Sequence, residues 1–318
     1  MPTRLSIEQI TDLATELYAT DLIFDASLRE RMTAWTLDEL TAYLESNGEE
    51  MPTSEHLIRT EPSTCCPAGS LPPLNALAAE EAPHGEKRSV AGLTIYVTGD
   101  EAAARCVVVA SDIWGWQTGR HRQVCDVLGS FLHCAVYMVD FFHGDPCTPE
   151  KGPGRVGFAA WARRWHPDAV RDDLDALLGT LPPSCRRVGL VGFCWGSFAC
   201  VVGSATGRFD AVACAHPSHR KLLEGVHGMS ADEADDLVGA GRAPTLMLAA
   251  AGDDARCLPG ERDEALLSAA HVPRSFEAYA APHGFVVRGA MNAHGEAVQR
   301  AVARIVAWME EHLAGLHR

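Results

Sequence analysis

The chain lacks any apolar run of about 18 or more residues, so no membrane-spanning helix is predicted. The first residues, "MPTRLSIEQITDL", lack the apolar core of a signal peptide, and we therefore expect a cytoplasmic protein. Basic residues are scarce, with 27 Lys and Arg against 42 Asp and Glu. The resulting net charge of −15 disfavours both nucleic acid and an anionic membrane as partners.

Cysteine is not scarce, but its pattern lacks the spacing of a structural metal site. Cys65 and Cys66 are adjacent in "STCCPAG", and no C-x-x-C pair stands near them with zinc-ligand spacing. We therefore expect no metal there. Other cysteines of the eleven lie within apolar runs and are expected to be buried free thiols. These are Cys106, Cys125, Cys134, Cys200 and Cys214.

Residues 1–60 are predicted to form a helical extension followed by a linker, separate from a domain over 61–318. In "SIEQITDLATELYA" the apolar residues recur at three- or four-residue spacing, which is typical of a helix. After Asn47-Gly48 the helical pattern ends, and prolines then become frequent, which predicts an extended segment. The apolar stripe of these helices must be buried against the core or another subunit.

From about residue 89, strand-like apolar runs alternate with helical patterns. Strands are predicted at "LTIYVTG", "ARCVVVASD", "CAVYMVDFF", "RRVGLVGF", "DAVACAHP", "APTLMLAAAG" and "RSFEAYAA". Helices are predicted between them, at 119–132, 167–181, 197–206 and 261–270, and a last helix covers 294–316. This alternation predicts an α/β fold with a mostly parallel sheet and helices on both of its faces.

The segment "GFCWGS" places Cys194 between two glycines where a predicted strand runs into a helix. This is the pattern of a nucleophile elbow, G-x-S-x-G, with sulfur in place of oxygen. Gly192 and Gly196 give room for a strained backbone, and the helix N-terminus favours a thiolate. The alternative is that Cys194 is a small packed apolar residue.

A nucleophilic thiol needs a base, and the base needs an orienting acid. In hydrolases of this architecture the chain order is nucleophile, acid, histidine. His283 follows the last predicted strand in "APHGF", and Asp253-Asp254 follow the strand before it. We favour Asp254 as the acid and keep Asp253 as the alternative; turn or cap formation would also explain either aspartate.

Several segments together resemble the dienelactone hydrolase family of α/β-hydrolases, in its eukaryotic-type branch. They are "GFCWGS", "VYMVDFFHGDP", "ASDIWGW", "CAHPS", "AAGDDA" and "PHGFVVRG", within residues 60–318. The resemblance implies the α/β-hydrolase fold and a Cys-Asp-His triad. It also implies carboxymethylenebutenolidase-like hydrolysis of an ester or lactone without a metal or organic cofactor.

The resemblance also assigns further site residues. Asp112 matches a carboxylate that contacts the resting thiol, although the bacterial prototype has a glutamate; a helix N-cap is its other explanation. The backbone N–H groups of Ile113 and Trp195 match the two oxyanion donors. Arg288 matches a substrate-binding arginine displaced by one position, so an exposed salt bridge is an equal alternative. Trp114, Trp116 and Trp195 either wall an apolar pocket or pack in the core.

The leading hypothesis is therefore a cysteine-nucleophile esterase or lactonase acting on a small molecule. A chelator is expected to leave its activity intact. A second hypothesis is a catalytically weak binding or interaction module that uses the N-terminal helices as a partner surface. A third makes Cys194 a redox-sensing thiol, because an exposed thiolate oxidises readily.

Overall fold

A computed structural model describes residue 66, residues 70–71, 83–155 and 157–314 of the chain. The predicted N-terminal extension over residues 1–60 lies outside these described residues, as does the predicted boundary at residue 61. Within the described part, no helix is both long and apolar enough to cross a bilayer.

An eight-stranded sheet forms the centre of the described residues. Its strands are β1 (Glu86–Val90), β2 (Leu93–Gly99), β3 (Arg105–Ala110), β4 (Ala135–Val139), β5 (Arg187–Phe193), β6 (Ala211–Ala215), β7 (Thr245–Ala251) and β8 (Arg274–Pro282). Their order across the sheet is β1-β2-β4-β3-β5-β6-β7-β8. Only β2 runs antiparallel to its neighbours, β1 and β4. The other pairs are parallel, which confirms the predicted mostly parallel sheet.

Helices connect these strands and cover the sheet. They are α1 (His121–Leu132), α2 (Phe158–Ala162), α3 (Pro167–Leu178), α4 (Gly196–Thr206), α5 (Ala231–Gly239), α6 (Arg262–Ala269), α7 (Phe285–Arg288) and α8 (Met291–Leu313). A π-helical turn covers Lys221–Val226, and short 3₁₀ turns cover Pro149–Lys151 and Ala255–Cys257.

The sheet is apolar on both faces, so its strands read as continuous apolar runs rather than as alternating ones. In β3, Val107 and Val109 belong to one buried cluster and Val108 belongs to the other. The first cluster includes side chains of α1 and α8, and the second includes side chains of α3 and α4. Burial on both faces therefore fixes the sheet as the middle layer of three.

Four elements had no predicted counterpart: strand β1 and helices α2, α5 and α7. The β1 strand, "EKRSV", has four exposed residues, so it gives no apolar signal. Helix α5, "ADEADDLVG", begins with a capping box in which Ser230 and Glu233 exchange hydrogen bonds. That S-x-x-E spacing is visible in the sequence and could have located the helix.

The topology brings polar residues to one edge of the sheet. Because parallel strands end at the same edge, the residues that follow β3, β5, β6, β7 and β8 meet there. Asp112, Cys194, His216, Asp253 and His283 occupy these positions. This edge therefore holds the candidate site.

Candidate active site

Cys194 lies on a tight turn between β5 and α4. Its φ is 53°, a left-handed conformation that is unusual for a residue with a side chain. A Cβ on Gly192 would lie 2.2 Å from the Gly196 carbonyl oxygen, and one on Gly196 would lie 2.3 Å from the Ala110 carbonyl oxygen. Only glycine fits at either position, so the two glycines are needed to form this turn.

Ser197 and Ser218 fix the turn against the loop that follows β6. The Ser197 hydroxyl donates to the Cys194 carbonyl at 2.7 Å and accepts from the Ser218 N–H at 2.8 Å. Ser218 Oγ in turn lies 3.4 Å from Cys194 Sγ and 3.5 Å from His283 Nε2. The sequence pattern did not identify Ser218, although it follows "CAHP" at a strand end.

His283 and Asp253 form a buried pair beside the thiol. His283 Nδ1 lies 2.6 Å from Asp253 Oδ1, and both side chains have no exposed surface. One nitrogen of His283 lies within 4.8 Å of Cys194 Sγ. Since Nδ1 donates to Asp253, Nε2 is the nitrogen left to face the sulfur. The order Cys194, Asp253, His283 along the chain matches the predicted order of roles.

The acid beside His283 is thus Asp253, and the expectation that Asp254 makes this contact is wrong. Gly252, with φ of 83°, turns the chain back at the end of β7, so that Asp253 Oδ2 accepts from the Ala250 N–H at 2.7 Å. The side chain of Asp254 instead pairs with Arg256 at 2.8 Å. It also accepts from the Arg256 backbone N–H, which caps the following 3₁₀ turn.

The electrostatics favour a charged imidazole at His283. Burial alone lowers the pKa of His283, but the sulfur atoms of Cys194 and Cys66 and the carboxylate of Asp253 outweigh burial and raise this pKa well above its usual value. An imidazolium next to a thiol stabilises the thiolate. The arrangement can therefore hold a thiolate–imidazolium pair.

Asp112 and Arg288 form a buried ion pair, although no contact between them was predicted from the sequence. Arg288 Nε lies 3.0 Å from Asp112 Oδ2, with side chains 1% and 0% exposed. Burial raises the pKa of Asp112, and the charge of Arg288 opposes that effect. Arg288 is thus a buried residue, and the alternative of an exposed salt bridge is wrong. Gly284, with φ of 87°, leaves the space that the guanidinium occupies.

Asp112 forms a turn contact, and the alternative that it is a helix N-cap is wrong, because the next helix begins at His121. Its Oδ1 accepts from the Trp114 N–H at 3.0 Å. Its own N–H donates to His121 Nε2 at 3.2 Å, and His121 Nδ1 donates to the Thr118 carbonyl at 2.8 Å. His121 Nε2 also lies 3.8 Å from Asp112 Oδ1. Both His121 and Arg288 thus lie beside Asp112, and Arg288 is its permanently charged partner.

Tryptophans near the site pack mainly in aromatic clusters. Trp195 is fully buried and contacts Phe141, Phe142 and Phe198 through its ring. Trp116 packs near Tyr96 in the opposite apolar cluster, while Trp114 is half-buried. For Trp195 and Trp116, core packing is thus the better explanation. Ile113, the residue of the other expected oxyanion donor, is also fully buried.

Two further residues lie beside the site, and neither was predicted from the sequence to belong to it. His216, after β6, is fully buried and packs its ring 5.1 Å from the His283 ring. Burial lowers the pKa of His216 well below its usual value, so it is neutral. Cys66, in the proline-rich segment that was predicted to be extended, places its Sγ 3.7 Å from Cys194 Sγ. Near it, the Leu71 N–H donates to the His283 carbonyl at 3.0 Å.

Comparisons with known proteins identify a family and several similar chains. The dienelactone hydrolase family matches residues 93–313 of the chain. The protein named Hydrolase tropI of Talaromyces stipitatus is 27% identical over 253 residues, which cover 73% of this chain and 92% of that protein. The carboxymethylenebutenolidase homolog of Homo sapiens is 29% identical over 118 residues, 36% of this chain. That match spans about half of the human protein, 47% of its length.

Solved structures show the same fold. A dienelactone hydrolase-like promiscuous phosphotriesterase from metagenomic libraries superposes with a TM-score of 0.51 at 18% identity. The match covers 73% of this chain and 99% of that one. A cold-adapted esterase from an Arctic intertidal metagenomic library gives a TM-score of 0.51 at 16% identity, over 72% of this chain and 93% of that one. These similarities confirm the predicted α/β-hydrolase fold.

Proposed function

Because the chain belongs to the dienelactone hydrolase family, we propose that it hydrolyses a carboxylic ester or lactone with Cys194 as the nucleophile. The observation that carries this proposal is the arrangement at the sheet edge. Cys194 is held at φ of 53° on the turn after β5, and the buried His283–Asp253 pair lies beside its sulfur. A nucleophile, a base and an orienting acid in this order are the components of acyl transfer.

The reaction begins when His283 Nε2 takes the proton of the Cys194 thiol. Asp253 accepts the Nδ1–H of the same ring, which fixes the tautomer and stabilises the imidazolium. The sulfur then attacks the carbonyl carbon, and the carbonyl oxygen becomes an oxyanion. We assign its stabilisation to the backbone N–H groups of Ile113 and Trp195, as the family resemblance implies.

Collapse of the tetrahedral intermediate breaks the bond to the alcohol oxygen, which takes the proton from His283. A thioester on Cys194 remains. His283 then removes a proton from water, the hydroxide adds to the thioester carbonyl, and the thiolate leaves with recovery of the proton. In a lactone the leaving oxygen stays tethered, so the product is a single open-chain acid. No step requires a metal or an organic cofactor.

The Asp112–Arg288 pair defines the electrostatics around the sulfur. An unpaired carboxylate near the thiol would oppose thiolate formation, whereas a paired one opposes it less. Because Arg288 already contacts Asp112, it also has less charge to offer a substrate carboxylate. We therefore propose that the substrate is held mainly through its apolar part and its reacting carbonyl.

Trapping of the acyl-enzyme tests this function. A panel of aryl esters and lactones is mixed with the protein, quenched in acid and analysed by peptide mass spectrometry. We expect a thioester adduct on Cys194, no adduct and no turnover in Cys194→Ala, and normal turnover in the matched variant Cys200→Ala. The Cys194→Ala variant should stay folded, within about 1–2 kcal/mol of the parent. Turnover in Cys194→Ala at the parent's rate would disprove the proposal.

A further inference from the structure

Three ligand-type side chains meet at the proposed nucleophile. One atom each of Cys66, Cys194 and His283 lies within 4.8 Å of the other two, and all three residues are buried. No sequence pattern groups these residues, since Cys66 precedes Cys194 by 128 positions. We propose that these three side chains form a binding site for Zn²⁺, and that its occupancy inhibits the hydrolase.

The donor set and its spacing fit this ion. A set of two thiolates and one imidazole favours Zn²⁺ over Mg²⁺ or Ca²⁺. With Zn–S bonds of about 2.3 Å and tetrahedral angles, two sulfur ligands stand roughly 3.8 Å apart. The observed separation of the Cys66 and Cys194 sulfurs is 3.7 Å. The thiols are thus already separated as they would be on the metal.

The imidazole is oriented for the same purpose. Ligating histidines usually donate their second ring N–H to a carboxylate, which fixes the ring and increases its basicity. His283 does so through Nδ1, at 2.6 Å from Asp253 Oδ1. Its Nε2 lies 3.5 Å from Ser218 Oγ, which itself lies 3.4 Å from Cys194 Sγ. This hydroxyl, or a water beside it, is placed for the fourth position.

The charges at the site also allow a buried dication. Binding releases two protons, one from the Cys66 thiol and one from the Cys194–His283 pair, so two thiolates neutralise the charge of Zn²⁺ and His283 is neutral in the complex. The neighbouring charges, Asp112 and Arg288, already compensate each other at 3.0 Å. A neutral complex avoids the large desolvation penalty of an isolated buried ion.

A second buried cluster, His219, Cys257 and Asp263, lacks these properties and serves as an internal control. Its carboxylate is already bound by the buried guanidinium of Arg220, whose Nε lies 2.8 Å from Asp263 Oδ1. The charge of Arg220 repels a cation at this place. We therefore expect Zn²⁺ to bind the cluster of Cys66, Cys194 and His283 and not this second cluster, although the residue types are similar.

Cobalt titration of the full-length protein tests the site directly, because Co²⁺ reports thiolate ligands by an intense near-ultraviolet absorption. With the thiols kept reduced by a phosphine, we expect one Co²⁺ per chain with this absorption, displaced by one equivalent of Zn²⁺. Cys257→Ser should bind identically. Cys66→Ser and Cys66→Ala should bind about 100-fold more weakly or worse, since even outer-shell partners contribute roughly 10–100-fold. Circular dichroism checks that both variants are folded.

A second experiment measures the inhibition of ester hydrolysis by Zn²⁺. Only this experiment rests on the proposed hydrolase activity. Zn²⁺ should abolish ester hydrolysis by the parent and EDTA should restore it, because the metal occupies both nucleophile and base. Because Cys66 contacts Cys194 and acts on the pKa of His283, the rate of Cys66→Ser with Zn²⁺ is compared with that of the same variant without metal, and the two rates should be equal. Parent-like Co²⁺ binding by Cys66→Ser, or binding without the thiolate absorption, would overturn the site. Metal binding without any hydrolysis would sink the proposed function and leave the site standing.

Discussion

At the scale of single residues, the site depends on which of two adjacent carboxylates faces His283. The side chain of Asp253 has no exposed surface and accepts from both His283 and the Ala250 backbone. Asp254 is 18% exposed and pairs with Arg256 on the outer side of the turn. The two residues have the same chemistry and neighbouring positions, and only the path of the backbone separates their roles.

Substituting the two aspartates separates these roles experimentally. We expect Asp253→Asn to lower kcat by about 10²–10⁴-fold, because the imidazole loses the partner that orients it and stabilises its charge. Asp254→Asn should leave kcat close to that of the parent. It should lower the free energy of unfolding by about 1 kcal/mol or less, as it weakens a partly exposed ion pair. Equal losses of kcat in both variants, measured on one ester, would contradict the assignment of Asp253.

Substitutions of Asp112 and Arg288 should shift the pH dependence of Cys194 alkylation in opposite directions. Asp112→Asn leaves the cation near Cys194 and should move the alkylation of the thiol by iodoacetamide to lower pH. Arg288→Met leaves the Asp112 carboxylate without a compensating charge and should move the alkylation of the thiol to higher pH. Breaking a buried pair also costs about 3–5 kcal/mol of stability, so both variants are compared under conditions where circular dichroism shows them folded. Alkylation curves that superimpose on the parent's would remove this pair from the electrostatics of the thiol.

At the scale of elements, the strand–turn–helix unit of β5 and α4 positions the nucleophile. Its tight geometry depends on backbone contacts at Gly192 and Gly196 that exclude any Cβ. The Ser197 hydroxyl then joins this unit to the loop after β6, where Ser218 lies. The turn is thus fixed by contacts with two neighbouring strands, β3 and β6, rather than by its own sequence alone.

Alanine at Gly192 tests this packing. Its Cβ would lie 2.2 Å from a carbonyl oxygen, so the turn must shift. We expect a loss of about 1–3 kcal/mol in unfolding free energy and, because a displacement near 1 Å can cost about 10²-fold, a similar fall in kcat. The matched variant is Gly239→Ala in α5, where the nearest atom lies at 3.9 Å. It should leave kcat unchanged and stability equal or up to about 1 kcal/mol higher.

At the scale of the whole molecule, burial lowers the pKa of two histidines, His216 and His227, which makes the stability of the fold sensitive to acid. Beside α4, His227 stacks on Phe198 with ring centroids 5.1 Å apart, and His166 lies 5.6 Å away. Burial, reinforced by His166 and Arg163, lowers the pKa of His227 to about 4. His216 shifts in the same direction.

The sign of the effect follows from proton binding. The unfolded chain takes up a proton on this imidazole near pH 6.5, whereas the folded protein does so only near pH 4. Between these values the unfolded state binds more protons, so stability falls as the pH falls. We expect His227→Gln to lose less stability than the parent between pH 7 and pH 4, by about 3 kcal/mol at most. Urea unfolding at both pH values measures this difference, and equal losses would contradict it.

The sequence by itself determined the layer architecture, because burial on both faces of a parallel sheet leaves continuous apolar runs in the chain. β2 was predicted with its observed bounds, and the other buried strands were placed within a few residues. The sequence also identified Cys194 and His283 as candidates, since each carries a local pattern. The short polar strand β1 had no such signal, because four of its five residues are exposed.

Only the tertiary structure decided which side chains meet. The choice between Asp253 and Asp254 depended on one left-handed glycine at 252, and the pairing of Asp112 with Arg288 joins the ends of distant strands. Cys66 and Cys194 are in contact although 128 positions separate them in the chain, and Cys66 lies in a proline-rich segment that was predicted only to be extended. Local propensity acts over a few residues, whereas these contacts are fixed by how the chain returns to one edge of the sheet.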